Sequence, residues 1–376
     1  MIYSDSASTS YYKPETVKQA VLAAMSEFGN SGRGGHPAAM SAAHVVYNTR
    51  ASLAPFFGAK SNQIAFTHNA TMALNMAIFG LLSDGGHAIT TVLEHNSVLR
   101  PLYQLQRSGL ALDFVGLTPN GDLDYDAFDK LAKKDTKCIV VTHCSNVTGQ
   151  ITNLNYLAEF CDKHGLILIV DAAQSAGLMP IDIKRLGRAV ICFTGHKGLL
   201  GPQGTGGLVV NDVDIPSAIV GGSGSDSFSQ HHSAIFPESL EAGTLNAHGL
   251  AGLSAGAEYI KKRGVEAVAA DGIALVNTFE KSIRDIESVE IYGNPKLRKV
   301  PIVCMNFDGI DSAEAEMILA EHGICVRGGF HCAPLAHKAL GTEKQGAVRF
   351  SFSSFNTAEQ VRIAVQTVSE IAKELA

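Results

Sequence analysis

The sequence predicts an α/β fold: a mostly parallel sheet with helices on both faces, followed by a smaller α+β domain. Three observations carry that reading. Strand-like and helix-like segments alternate at short spacing between Gln63 and Phe193, which is the rhythm of βαβ crossovers. Within that stretch, Leu166-Ile167-Leu168-Ile169-Val170 is an unbroken aliphatic run, too apolar for a strand with one wet face, so it reads as a strand buried on both sides. Finally, 376 residues exceed one ordinary core, and 46% hydrophobic with 18% charged content describes a well-buried chain. The expected division is a large domain at 15–250 and a small domain made of 1–14 and 251–376.

Taken in order, Pro14 to Phe28 has amphipathic spacing, proline in its first turn and Gly29 behind it, and reads as a helix. The glycine-dense connector Gly29 to Pro37 follows, then a helix from Pro37 to Phe57 and a strand from Gln63 to Phe66. Strands at Ala88 to Val92, Leu112 to Val115 and Cys138 to Thr142 alternate with helices ending near Ser108 and running from Asp124 to Lys133. A helix from Asn153 to His164 leads into the aliphatic run, and Ala189 to Phe193 forms the next strand. Gly221 to Pro237 is rich in glycine, serine and histidine without periodicity and reads as a functional loop; His231-His232 are too isolated to be metal ligands. Ala247 to Ser288 is helical with a break near Gly264. The C-terminal part alternates a strand at Ile302 to Phe307, a helix at Ser312 to His322, strands at Ile324 to Arg327 and Ala347 to Phe352, and a helix from Thr357 to Leu375.

Two strand ends hold the chemistry. Asp171 closes the aliphatic run at the carboxyl end of its strand, where open α/β sheets place ligands. One strand later, Thr194-Gly195-His196-Lys197 delivers a lysine into a glycine-rich turn, an odd place for a solvated side chain. A lysine there is either a phosphate contact or an amine whose surroundings favour its neutral or imine-linked form, the form that chemistry with pyridoxal 5'-phosphate requires; the acid would then pair with the ring nitrogen. Upstream, Thr67-His68-Asn69-Ala70-Thr71 ends a strand and opens a helix, so the Ala70 backbone and Thr71 present donors to a phosphate, or else simply cap the helix. His95, also at a strand end, can lie on an aromatic ring and move protons near neutrality.

Asp171-Ala172-Ala173-Gln174, then Thr194-Gly195-His196-Lys197, then Gly201-Pro202-Gln203-Gly204 together resemble the class V aminotransferase group of fold-type I pyridoxal-phosphate enzymes, and within it the cysteine desulfurase and selenocysteine lyase family. The resemblance spans nearly the whole chain and implies a seven-stranded large-domain sheet. It also implies that Ala70, Thr71, His95, Asn146, Asp171, Gln174, Thr194, His196 and Lys197 bind the cofactor, with His95 stacked on its ring. Thr244, in Glu241-Ala242-Gly243-Thr244, matches a segment that reaches the neighbouring subunit's phosphate, which implies a homodimer with its active site at the interface. Asn146, Arg327 and Arg349 are the expected substrate contacts. For Arg349, a two-pronged carboxylate clamp competes with a structural ion pair. Lys197, Cys332 and His95 are the expected catalytic residues. Cys332 lies in the loop Arg327-Gly328-Gly329-Phe330-His331-Cys332, whose positive neighbours favour the nucleophilic thiolate, and it matches the sulfur-accepting cysteine. One departure stands out: the N-terminal signature of Asp-Asn-Ala-Ala-Thr type is here Asp5-Ser6-Ala7-Ser8-Thr9.

The implied reaction converts L-cysteine to L-alanine, with a sulfur-acceptor protein as a further partner. A selenocysteine lyase, or a class V aminotransferase or C–S lyase on another amino acid, stays open at this point. Net charge of −6 argues against nucleic acid or an anionic membrane as partner. The seven cysteines lack metal-ligand spacing, and an odd count in this pattern fits reduced cytoplasmic thiols. The start of the chain lacks the basic and apolar regions of a signal peptide, and no apolar run is long enough to span a membrane, so a cytoplasmic protein is expected.

Overall fold

The computed structural model describes residues 1–32, 34–222 and 227–375. The expected connector Gly29 to Pro37 and loop Gly221 to Pro237 therefore lie partly outside the described residues, at Arg33 and at 223–226. From the N-terminus come β1 (Ile2–Tyr3), α1 (Glu15–Glu27), α2 (Pro37–Leu53), β2 (Ile64–Thr67), α3 (Ala70–Leu82), β3 (His87–Thr91), α4 (Asn96–Arg107) and β4 (Ala111–Val115). Then follow α5 (Asp126–Leu131), β5 (Thr136–Thr142), α6 (Leu154–His164), β6 (Ile167–Asp171), β7 (Ala189–Thr194), β8 (Gly206–Asn211), α7 (Ala247–Arg263) and α8 (Val265–Ile283). The remainder is β9 (Val289–Tyr292), β10 (Ile302–Phe307), α9 (Ser312–Glu321), β11 (Ile324–Cys325), α10 (Pro334–Ala339), β12 (Val348–Ser351) and α11 (Ala358–Leu375).

The large sheet has seven strands in the order β2-β8-β7-β6-β5-β3-β4, and only β8 runs against its neighbours. Its central strands are buried on both faces. Along β5 to β7, Ile139, Val141, Leu168, Val170, Ile191 and Phe193 face one core, whereas Cys138, Val140, Ile169, Val190 and Cys192 face the other. The period-two alternation of a pleated strand thus explains why the sequence shows no polar alternation there. A fully buried aliphatic side chain stabilises by roughly 1.5–3 kcal/mol, so this double burial anchors the strand ends that carry the site.

Behind the large sheet, α7 packs on α1 and α2, while α8 packs on α11 and on the smaller sheet. That sheet is antiparallel, in the order β12-β10-β9. Its core gathers Val276, Phe279, Leu319, Phe350 and Phe352, and Ile2 of the N-terminus joins it through the parallel pair β1-β11. Among the described residues, no helix is long and apolar enough to cross a membrane.

Three expectations change. The helix expected to run to Phe57 stops at Leu53 and tightens into a 3-10 turn over Ala54–Phe57, because Pro55 cannot continue the α-helical bonding. The short strands β1 and β9 and the short helix α10 go beyond the sequence reading. So does β8, whose first residues read as turn glycines: Gly206 and Gly207 are strand residues pressed between β2 and β7, and a Cβ on Gly207 would sit 2.4 Å from the Ala65 carbonyl oxygen.

Candidate active site

The floor of the site is set by strand register. Asp171 pairs with Cys192 across β6 and β7, so the acid and the turn after β7 open on the same sheet edge. Asp171 is buried, and its Oδ1 accepts a 2.9 Å hydrogen bond from the Ala173 amide. Burial raises its pKa, opposed by that amide and by Lys197. The turn bearing Lys197 is fixed by a backbone crossing: a Cβ on Gly198 would lie 2.5 Å from the Ala176 carbonyl oxygen, so only glycine fits. The Lys197 amine is lowered to about 8, first by burial and then by Arg349, against the pull of Asp171. It is therefore partly neutral near physiological pH.

One wall is the start of α3. Asn69 caps it by accepting from the Met72 amide at 2.9 Å, leaving Ala70 and Thr71 to line the cleft. Thr71 Oγ1 lies 2.8 Å from Ser97 Oγ, which in turn lies 2.8 Å from His95 Nδ1. The Ser97 amide also donates to that nitrogen at 3.0 Å. Nδ1 is thus an acceptor and the neutral ring carries its proton on Nε2. Burial is the chief cause that lowers His95 to about 4, with Lys197 and Arg349 adding to it. Ser97 was missed in the sequence, although a His-x-Ser step opening a helix is a legible cap pattern.

Opposite, the N-terminal strap is stitched to the segment after β6 and to the lysine turn. Gln174 Nε2 donates to the Ala7 carbonyl at 3.0 Å, the Ser10 amide donates to the His196 carbonyl at 3.0 Å, and His196 Nδ1 lies 3.0 Å from Thr9 Oγ1. Thr194 is buried beneath them. Asn146, Asp171, Gln174, Thr194, His196 and Lys197 all line one solvent-open cleft with Ala70, Thr71 and His95.

Arg349 comes from β12 and is 3% exposed. Its Nη1 donates to the Asn146 carbonyl at 2.8 Å, and its Nη2 reaches Asp5 Oδ1 at 3.1 Å and Ser8 Oγ at 2.8 Å. The competing ion-pair reading is therefore realised, yet Nε has no hydrogen-bond partner among the described residues and Nη1 uses one of its two N–H groups, so two guanidinium donors are left. Asn146 Nδ2 donates to the His331 carbonyl at 2.7 Å, and the Asn96 amide donates to the Cys332 carbonyl at 2.6 Å. The Cys332 loop is thus docked on two segments of the cleft, and Cys332 is exposed.

Two expected residues stand apart. Arg327 meets Arg349 through backbone bonds only and its side chain is exposed. Thr244 is exposed in a separate groove with His68 and Asn246, so within one chain it does not reach the cleft. Ser8, Ser97 and His337 are contacts that sequence reasoning did not single out.

A lysine of lowered pKa, a buried acid at a strand end, a rim imidazole and a helix N-terminus with a hydroxyl form a donor set suited to an anionic, aromatic aldehyde cofactor. Fold and site together define the class as fold-type I enzymes. A family profile described as "Aminotransferase class-V" matches residues 2–363. A "Probable cysteine desulfurase" of Pyrococcus abyssi is 34% identical over 100% of this chain and 95% of its own length. A second "Probable cysteine desulfurase", from Methanothermobacter thermautotrophicus, is 32% identical over 99% of this chain and 94% of its own. An apo structure of a cysteine desulfurase from Thermococcus onnurineus superposes with a TM-score of 0.93 at 34% identity, covering 100% of this chain and 95% of that one. The chain belongs to the class V aminotransferase family, among its cysteine desulfurase members. That family is pyridoxal-phosphate-dependent.

Proposed function

We propose that this chain is a cysteine desulfurase that takes L-cysteine to L-alanine and leaves the sulfur on Cys332. The observation that supports it most is the docking of the Cys332 loop, through Asn146 and Asn96, onto the cleft that holds Lys197, with Arg349 bonded to the same Asn146 through its carbonyl. When bound, pyridoxal phosphate supplies an electron sink for charge developing on the amino acid. Ala70 and Thr71 would hold its phosphate, His95 its ring face, and Asp171 its ring nitrogen, with Asn146, Gln174, Thr194 and His196 around it and Lys197 as its covalent anchor. Thr244 would complete the phosphate site of a second copy in a homodimer.

Arg349 binds the substrate carboxylate through the two N–H groups left over, on Nε and Nη1, while Asp5, Ser8 and Asn146 hold the guanidinium in place. Lys197, partly neutral, takes the α-proton. His95, neutral and with its proton on Nε2, is set to exchange protons at the substrate thiol. The Cys332 thiolate then attacks the substrate sulfur: a sulfur–sulfur bond forms, the substrate Cβ–Sγ bond breaks, and Cβ gains a proton, so carbon is reduced as sulfur is oxidised. A sulfur-acceptor protein would collect the product from the exposed loop.

The test offers purified protein a panel of amino acids, including cysteine and selenocysteine, and measures alanine, sulfide, pyruvate and ammonia together. Alanine from cysteine is expected, and Cys332→Ala should abolish it while leaving the bound cofactor's absorbance intact. Pyruvate as main product, or undiminished alanine from the variant, contradicts the proposal.

A further inference from the structure

His337 lies outside the cleft, at the end of the short helix α10, and is fully buried. Its Nε2 is 3.1 Å from His331 Nδ1, its Nδ1 is 2.7 Å from Thr342 Oγ1, and the two imidazoles stack with centroids 5.3 Å apart. The remaining nitrogen of His331, Nε2, is 3.0 Å from the Arg327 carbonyl.

That carbonyl fixes the direction of the whole row. A carbonyl only accepts, so His331 Nε2 carries the proton and, with the ring neutral, His331 Nδ1 is an acceptor. His337 must then donate from Nε2, which makes its Nδ1 an acceptor for the Thr342 hydroxyl. Both rings are neutral because burial lowers them, and His331 lies at about 3. Thr342 Oγ1 also lies 3.3 Å from the His337 carbonyl, but Nδ1 at 2.7 Å is the nearer acceptor for its one proton, and the row Thr342, His337, His331, Arg327 then has a consistent set of donors.

What the row holds is unusual backbone. His331 and Cys332 have φ of 50° and 54°, two successive non-glycine residues in the left-handed region. A conformation of that kind persists only where its surroundings impose it. The Asn146 and Asn96 bonds grip the backbone on the cleft side, and the histidine row grips the side chain of His331 on the other.

We infer that His337 is a positioning residue for the sulfur-transfer step: through His331 it fixes the backbone that presents the Cys332 thiol to the substrate sulfur. This rests on Cys332 being the sulfur acceptor.

The test compares wild-type holoenzyme with His337→Leu, His337→Gln, Thr342→Val and Cys332→Ala. His337→Leu is expected to keep the bound cofactor's absorbance, to hold KM for L-cysteine within about twofold, and to lower kcat by roughly tenfold or more, since a misplacement of ~1 Å can cost about a hundredfold. Hydrogen exchange should accelerate in residues 328–338 and nowhere else. His337→Gln, whose amide nitrogen can donate to His331, should restore most of the rate, and Thr342→Val should shift both readouts in the same direction by less. Wild-type kcat with wild-type exchange in His337→Leu overturns the inference, as does a rise in KM that accounts for the loss, or failure of glutamine to rescue a folded variant. If His337→Leu does not fold, the Thr342→Val comparison decides by the same two readouts. Alanine release by Cys332→Ala would overturn the acceptor reading instead; the exchange in 328–338 would then decide alone whether His337 fixes the loop.

Discussion

Residue by residue, burial moves the histidines further than any charge does. His95, His143 and His196 are lowered to about 4 and His331 to about 3, with desolvation the leading cause in each. In the unfolded chain a histidine protonates near 6.5. Between pH 6.5 and 4 the unfolded state therefore binds protons that the folded state refuses, and the stability present above 6.5 is lost as pH falls through 4. Buried Glu94, raised to about 8, and Asp171, also raised, act with the opposite sign, so the effect is isolated by comparison with a variant. His143 is suited to this, being buried outside the cleft with no partner for Nδ1 among the described residues. The thermal midpoint of His143→Leu, measured against wild type across that window, should gain steadily on it as pH drops; a constant difference contradicts the assignment. Lys197 and Asp171 were legible at this scale because an apolar run followed by a charged residue is a local signal. Ser8 was not, because its partner Arg349 is 341 residues away.

At the scale of elements, the strands that carry the site are those whose two faces are both buried, and they were readable as continuous aliphatic runs. The edges were harder. β8 hid behind Gly206 and Gly207, which signal a turn locally and become strand only because β2 and β7 close on them. β1 and β9 are too short for periodicity to register. Truncating a central strand should expose the dependence: Leu168→Ala removes a fully buried side chain from β6, three residues before Asp171. A loss of about 2–5 kcal/mol is expected. Urea denaturation of the holoenzyme measures it, and a variant as stable as wild type would mean that β6 is not the anchor described above.

Over the whole molecule, the active site is assembled by contacts that join distant parts of the chain. The N-terminal strap ties the lysine turn through Thr9 and Ser10, ties Gln174 through Ala7, and ties Arg349 of the small sheet through Asp5 and Ser8. The sequence made the cofactor segments recognisable through their motifs, but not the clamp that docks the Cys332 loop, since Asn146 and His331 are 185 residues apart. All of this chemistry turns on which amine carries the cofactor. Borohydride reduction of the purified holoenzyme, followed by proteolysis and mass mapping, reads that out: the pyridoxyl mass is expected on the peptide bearing Lys197 and to vanish in Lys197→Ala. Cofactor that stays dialysable after reduction, or a label on Lys13, a second lowered amine and one near His196, would contradict it.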